Sequence, residues 1–243
     1  MFIESVGLPA NIPDAWPFTM EPVRHLAENG LTFDGPVTFL VGENGSGKST
    51  LIEALADAVK INSEGGKAGT RYASTGEPTA LGAALSTGLT PAGLRLVAGP
   101  RRTKHGFFLR AETLFNLARN VSGRPGFWSA DLDQQSHGEG FFTVFESMFS
   151  NPGLYLLDEP EAALSFISCL RLVDFLHELG QSGSQVICAT HSPIIASTPD
   201  AEIIELGPHG LRRAAWEELG IVDHWRRYLR DPQSYLRHFI TTP

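Results

Sequence analysis

Only two of the 243 residues are cysteines, Cys169 and Cys188, which excludes a disulfide framework or a cysteine-built metal centre as the organising feature. Each sits in an apolar segment, the usual setting of a buried free thiol. Long apolar runs are missing as well. None approaches the roughly 20 residues that cross a bilayer, and Met1 to Pro13 carries no basic flank followed by an apolar stretch. The expectation is therefore a cytoplasmic protein with no integral membrane segment. Positive charge is in deficit, with 19 Lys and Arg against 27 Asp and Glu for a net charge of −8. A surface that is basic throughout is excluded, although a local basic stripe for nucleic acid is not. Repeats and coiled-coil heptads are absent. The composition that remains, 42% hydrophobic and 19% charged, is that of a globular chain, and one domain over residues 1–243 is expected.

The most informative stretch begins at Val37-Thr-Phe-Leu-Val41, a short apolar run suited to a buried parallel strand. It leads directly into Gly42-Glu43-Asn44-Gly45-Ser46-Gly47-Lys48-Ser49-Thr50. Beyond the loop, Leu51, Ile52, Leu55, Ala58 and Val59 recur at helical spacing. Strand, glycine loop and helix in this order form a phosphate cradle. Gly42, Gly45 and Gly47 let backbone N–H groups turn inward, Lys48 reaches the β- and γ-phosphate oxygens, and the Ser49 hydroxyl is placed to ligate Mg²⁺. A second buried strand, Leu154 to Leu157, ends in Asp158 and Glu159. Asp158 is placed to hold the metal through water, and Glu159, projecting past the strand, to take a proton from an attacking water.

Around these motifs the chain alternates strands and helices, which implies an α/β sheet with crossovers. Trp16 to Arg24 and Leu31 to Phe33 read as an antiparallel flank punctuated by Asn29-Gly30 and Asp34-Gly35. Asn62 to Gly93 is either a mobile lid or a short helix around Thr79 to Leu85 with flexible ends. Leu94 to Val97 and Gly106 to Leu109 read as strands bracketing a basic turn, Arg101 to Lys104. Ala111 to Ala118 and Phe141 to Phe149 read as helices of a small lobe, roughly 110–150, with the aromatics in the core. After Pro160 a stripe of Leu164, Ile167, Leu170, Val173, Leu176 and Leu179 predicts a helix that stops at Gly180. Gln185 to Ala189 and Glu202 to Leu206 are further core strands, the second turned back at Pro208-His209-Gly210 onto Leu211 to Arg213.

Asp158-Glu159-Pro160-Glu161-Ala162-Ala163-Leu164-Ser165 resembles the Walker B and D-loop segment of ABC ATPases, and Ala189-Thr190-His191-Ser192-Pro193 resembles their switch-histidine segment, His191 standing 33 positions after Asp158. Gln135-Ser136-His137-Gly138-Glu139, with Ser136 22 positions before Asp158, is similar to a diverged ABC signature. Together with Phe107-Phe108-Leu109-Arg110-Ala111-Glu112 it is similar to compact bacterial ABC-type ATPases, AAA- and SMC-like, that carry no transporter membrane domain. The resemblance implies an ABC-type nucleotide-binding core with an antiparallel N-terminal flank and a small helical lobe, using ATP and Mg²⁺. It further implies an ATP-dependent homodimer in which Ser136 and Gly138 contact the γ-phosphate held by the other copy, and His191 senses that phosphate. Such relatives act on a protein or nucleic-acid partner, some in genome maintenance or antiphage systems. One departure stands out: Leu94 to Asn116 contains no glutamine where ABC proteins usually have one, and Arg110 or Glu112 is the candidate substitute. The transporter subunit and the nucleotide-gated binding module with negligible turnover remain alternatives.

Trp16 and Phe18 precede the loop at about the distance at which ABC proteins supply an adenine-stacking ring, and core packing is the competing role. Trp225-Arg226-Arg227-Tyr228-Leu229-Arg230, with Tyr235 and Arg237, interleaves basic and aromatic residues as nucleic-acid binders do. The favoured reading is a helix that packs its aromatic side and solvates its arginines.

Overall fold

A computed structural model describes residues 1–63, 65–68, 77–101, 104–110, 142, 146, 149, 151–162 and 164–237. Its described strands are β1 (Ile3–Gly7), β2 (Leu31–Thr32), β3 (Val37–Val41), β4 (Gly66–Lys67), β5 (Ser86–Leu89), β6 (Gly106–Arg110), β7 (Leu154–Asp158), β8 (Gln185–Thr190), β9 (Glu202–Gly207) and β10 (Gly210–Arg213). The helices are α1 (Glu21–Asn29), α2 (Lys48–Ala58), α3 (Ala80–Ala84), α4 (Pro91–Ala98), α5 (Phe166–Gln181), α6 (Gly220–Arg230) and α7 (Pro232–Leu236).

The main sheet runs β10-β9-β3-β8-β7-β6-β4, with β9, β3, β8, β7 and β6 mutually parallel and a short antiparallel strand at either edge. Every residue of β3 and β7 is buried, as their unbroken apolar runs require when helices cover both faces. Alternation along β3 sorts its side chains into two cores. Val37, Phe39 and Val41 pack with Cys169, Leu172 and Leu176 of α5, whereas Leu40 packs with Leu51, Ile52 and Leu55 of α2. This sandwich puts the carboxyl ends of β3, β6, β7 and β8 side by side, where ligands bind in open α/β sheets. Both cysteines are buried and free.

The antiparallel flank exists, and the expected strand at Leu31 to Phe33 is present as β2, but its other strands are not the expected ones. β1 pairs with β2 on one side and β5 on the other. Trp16 to Arg24 is instead a turn followed by the start of α1, because Pro22 suits a first helical turn and Val23 and Leu26 turn one buried face inward. Leu94 to Val97 is likewise helix rather than strand. Thr90 caps α4 by accepting the Gly93 N–H at 3.1 Å, Pro91 opens it, and only the Gly93 and Leu96 positions are buried. Of the two readings of Asn62 to Gly93, the short helix is present as α3, capped by Thr79.

The stripe on α5 is rotated from the expected one. Its buried face is Cys169, Leu172, Leu176, Leu179 and Gly180, leaving Ile167 65% and Leu170 44% exposed. Gly180 does not end the helix, which runs to Gln181. A Cβ at Gly180 would come 2.7 Å from Val37 Cγ2, so glycine is what lets α5 lie on the start of β3. The proposed helical lobe, Glu112, the Gln135 to Glu139 segment and Ala163 fall outside the described residues, as do Arg102 and Thr103 of the basic turn. Phe142 and Phe149 are described and buried, Phe149 stacking 4.5 Å from Tyr155, in line with a core role for the aromatics.

Gln185 fastens the small sheet to the large one. Its Oε1 accepts the N–H groups of Phe2 and Ile3 at 2.7 and 2.8 Å, and its Nε2 donates to the Ile3 carbonyl at 2.8 Å, all in the interior. Gln185→Ala strands two backbone donors and an acceptor and should lower the unfolding free energy by about 3 kcal/mol, read by urea denaturation. A loss under about 1 kcal/mol would mean that the two sheets hold together without it.

Candidate functional site

β3 ends at Val41 and the chain turns at once through the glycine loop. A Cβ at Gly42 would lie 2.6 Å from the Leu206 carbonyl and 2.6 Å from Ser46 Oγ, so the loop closes on β9 only with glycine there. Gly47, at φ +94°, adopts the left-handed conformation that hands the chain to α2. Lys48 opens that helix and is 97% enclosed, its Nζ donating to the Glu43 carbonyl at 2.9 Å. Its ammonium also stands 3.7 Å from Glu159 Oε1.

β7 delivers the acids. Asp158 Oδ1 accepts a hydrogen bond from Ser49 Oγ at 2.9 Å, while Oδ2 lies 3.7 Å from Arg110 Nε. Burial pushes the Asp158 carboxyl above the usual range, opposed by the Ser49 hydrogen bond and the Arg110 charge. Glu159 sits just past the strand at φ +49°, a conformation that costs an ordinary residue about 1–2 kcal/mol and is held here by its N–H bond to the Ala189 carbonyl at 2.9 Å. The strained backbone aims a carboxylate into the cleft. His191, at the end of the neighbouring β8, brings Nδ1 to 3.2 Å from Glu159 Oε1, close but without the alignment of a hydrogen bond.

Glu161 was not singled out by pattern, yet it organises this corner. One of its oxygens accepts the Thr190 hydroxyl and the His191 N–H, the latter at 3.2 Å, so it fixes the strand end that carries the histidine. Burial pushes its carboxyl up, against those hydrogen bonds. An acid three positions after Asp158 in a segment that is otherwise apolar was the available signal. Glu53, on α2 one turn past Ser49, was also missed; its Oε1 holds Arg110 Nη1 at 2.8 Å.

A cavity of about 480 Å³ joins Gly45, Lys48, Ser49, Asp158, Glu159 and Arg110, with Trp16 and Met20 at its rim. Trp16 is 72% exposed, whereas Phe18 is buried, so the two aromatic candidates part: Phe18 is core and Trp16 is free to meet a ligand. The oxygen donors Ser49 and Asp158 fit a hard cation such as Mg²⁺, which takes one or two protein ligands and completes its shell with phosphates and water. Among the described residues no cluster of three or more acidic, histidine or cysteine ligands forms. Ser136 and Gly138 fall outside the described residues. In α6 only Val222 is buried, and Trp225, Tyr228 and Leu229 are exposed, so the aromatic side of that helix is not packed inward as expected. Arg226, in the second turn of α6, lies over the Trp216 ring at 5.3 Å.

Residues 19–80 match the family described as "AAA domain". The chain is 28% identical over 189 residues to ABC transporter G family member 6 of Arabidopsis thaliana, covering 68% of this chain and 25% of that one. It is 27% identical over 208 residues to an uncharacterized ABC transporter ATP-binding protein of Mycobacterium tuberculosis, covering 74% of this chain and 59% of the relative. The chain therefore spans from a quarter to three-fifths of the length of these relatives. Among solved structures it resembles cbiO1 from Clostridium perfringens, part of the ABC transporter complex cbiONQ, with TM-score 0.54 at 15% identity over 98% of this chain and 99% of that one. The SMC head domain from Thermotoga maritima gives TM-score 0.50 at 16% identity over 88% and 98%. These likenesses are of fold; in this chain the glycine loop follows β3, a central strand of the main sheet.

Proposed function

We propose that this compact P-loop chain of ABC type is a Mg-dependent ATPase that works as an ATP-gated dimeric switch on a protein or nucleic-acid partner. The observation that carries the reading is the convergence of Lys48, Ser49, Asp158, Glu159 and His191 on one cleft. Backbone N–H groups from Gly45 to Thr50 and the amino end of α2 face the phosphates. Lys48 neutralises the β- and γ-oxygens, Ser49 and Asp158 hold the metal, and Glu159 draws the proton from an in-line water. His191, beside Glu159, donates to the γ-phosphate and registers its loss. Ser49 and Asp158 would hold a bound Mg²⁺, which would supply charge stabilisation to the phosphates. Ser136 and Gly138 complete the site of the second copy, so that ATP binds the closed dimer more tightly than the open chain. The test is Mg-dependent phosphate release from ATP by the purified protein; tight ATP binding with no release would leave a nucleotide-gated binding module.

A transporter role is favoured by the names of the relatives. No helix among the described residues is long and apolar enough to cross a membrane, and copurification with a membrane protein that responds to ATP would establish that role.

Trp16 stacks the adenine in this reading. Trp16→Ala should weaken binding of a fluorescent ATP analogue by about tenfold, and Trp16→Phe should restore most of it. Equal affinity in all three proteins would leave the base held by other groups.

A further inference from the structure

We infer that Arg110 is a resident cation of the metal site, a positioning residue that counters the charge of Asp158 and sets how readily a divalent ion binds there. The inference rests on the proposed pairing of Ser49 and Asp158 as metal-holding groups. Arg110 is the last residue of β6, and the pairing of β6 with β7 sets it directly opposite Asp158. Its guanidinium lies between two carboxylates, with Nη1 2.8 Å from Glu53 Oε1 and Nε 3.7 Å from Asp158 Oδ2. The Arg110 and Glu53 side chains are 27% and 23% exposed and that of Asp158 7%, so salt screens the trio weakly.

A buried carboxylate requires a counter-charge, and the chain supplies one from β6. A divalent ion shared by Ser49 and Asp158 would sit a few ångströms from this guanidinium and be repelled by it. Glu53 offers the way out. Because Arg110 already makes its shorter contact there, the guanidinium can draw back onto Glu53, giving up the longer contact to Asp158 and keeping the shorter one. Metal alone must work against this repulsion, whereas metal arriving with phosphate oxygens brings compensating negative charge. Arg110 thus couples metal loading to nucleotide loading, at the strand end where the expected glutamine is missing.

The Glu53 and Asp158 contacts of the guanidinium predict opposite signs. With the full-length, nucleotide-free protein titrated with Mn²⁺ and free ion read by electron paramagnetic resonance, Arg110→Gln should bind Mn²⁺ about tenfold tighter than the parent. Glu53→Gln, which removes the competing carboxylate and leaves the guanidinium closer to Asp158, should bind severalfold weaker, and Arg110→Lys should stay near the parent. Adding Asp158→Asn to Arg110→Gln should erase the gain. Shifts of Arg110→Gln and Glu53→Gln in the same direction, or none in Arg110→Gln, would overturn the inference while leaving the metal-site reading standing. A parent and an Asp158→Asn protein that bind Mn²⁺ equally would instead remove the metal-site reading itself, and the inference with it.

Discussion

Glu159→Gln is expected to turn over ATP about 10²–10⁴-fold more slowly than the unmodified chain while binding it at least as tightly. The amide keeps the size of the side chain and one acceptor oxygen, so water can still be oriented, but it takes no proton. Tighter binding follows from charge: the carboxylate stands 3.7 Å from Lys48 Nζ and 3.2 Å from His191 Nδ1, and its removal takes a negative charge away from the phosphate site and frees the Lys48 ammonium. Glu161 is the control. It is buried, and one of its oxygens is held by the Thr190 hydroxyl and the His191 N–H. Glu161→Gln should therefore retain far more turnover than Glu159→Gln. Phosphate-release rates for the two variants compare the acids directly, and the reverse order would transfer the base to Glu161.

Lys48→Met should lower turnover by about 10²–10³-fold, since in the proposed site it removes the ammonium that neutralises the transferring phosphoryl group. The same substitution should leave the melting temperature at or above that of the parent. Lys48 is only 3% exposed, and an enclosed charge is held at a desolvation cost that its bond to the Glu43 carbonyl and its distant Glu159 partner offset in part. A site that is costly to the fold and needed for chemistry gives this opposition of activity and stability. Calorimetry alongside the rate measurement checks it. A large drop in melting temperature would show that Lys48 is a structural strut and that any lost activity is secondary.

The phosphate loop was legible because its signal is local. Glycine spacing, the apolar run of β3 and the helical spacing of α2 all fall within one continuous stretch, and no distant contact is needed to read them. The acids of β7 were legible for the same reason. Errors gathered where a short apolar run has two local solutions: Leu94 to Val97 satisfies a strand, but the Thr90-Pro91 start commits it to helix. The α5 face was misjudged because several apolar residues circle that helix, and contact with β3 rather than composition selects the buried ones. Arg110 beside Asp158 was beyond reach from spacing, since it depends on how β6 pairs with β7. Likewise, Trp16 and Phe18 are equivalent in sequence, and only the turn before α1 exposes one and buries the other.

The central claim, an ATP-closed pair of chains that share two phosphate sites, is tested most directly by the solution mass of Glu159→Gln with and without Mg-ATP. With its base removed the site should hold ATP unhydrolysed. Light scattering should then report one chain without nucleotide and twice that mass with it, and the doubling should be lost when Ser136→Ala is added. A protein that binds ATP and keeps the mass of a single chain at saturation would contradict the shared-site account.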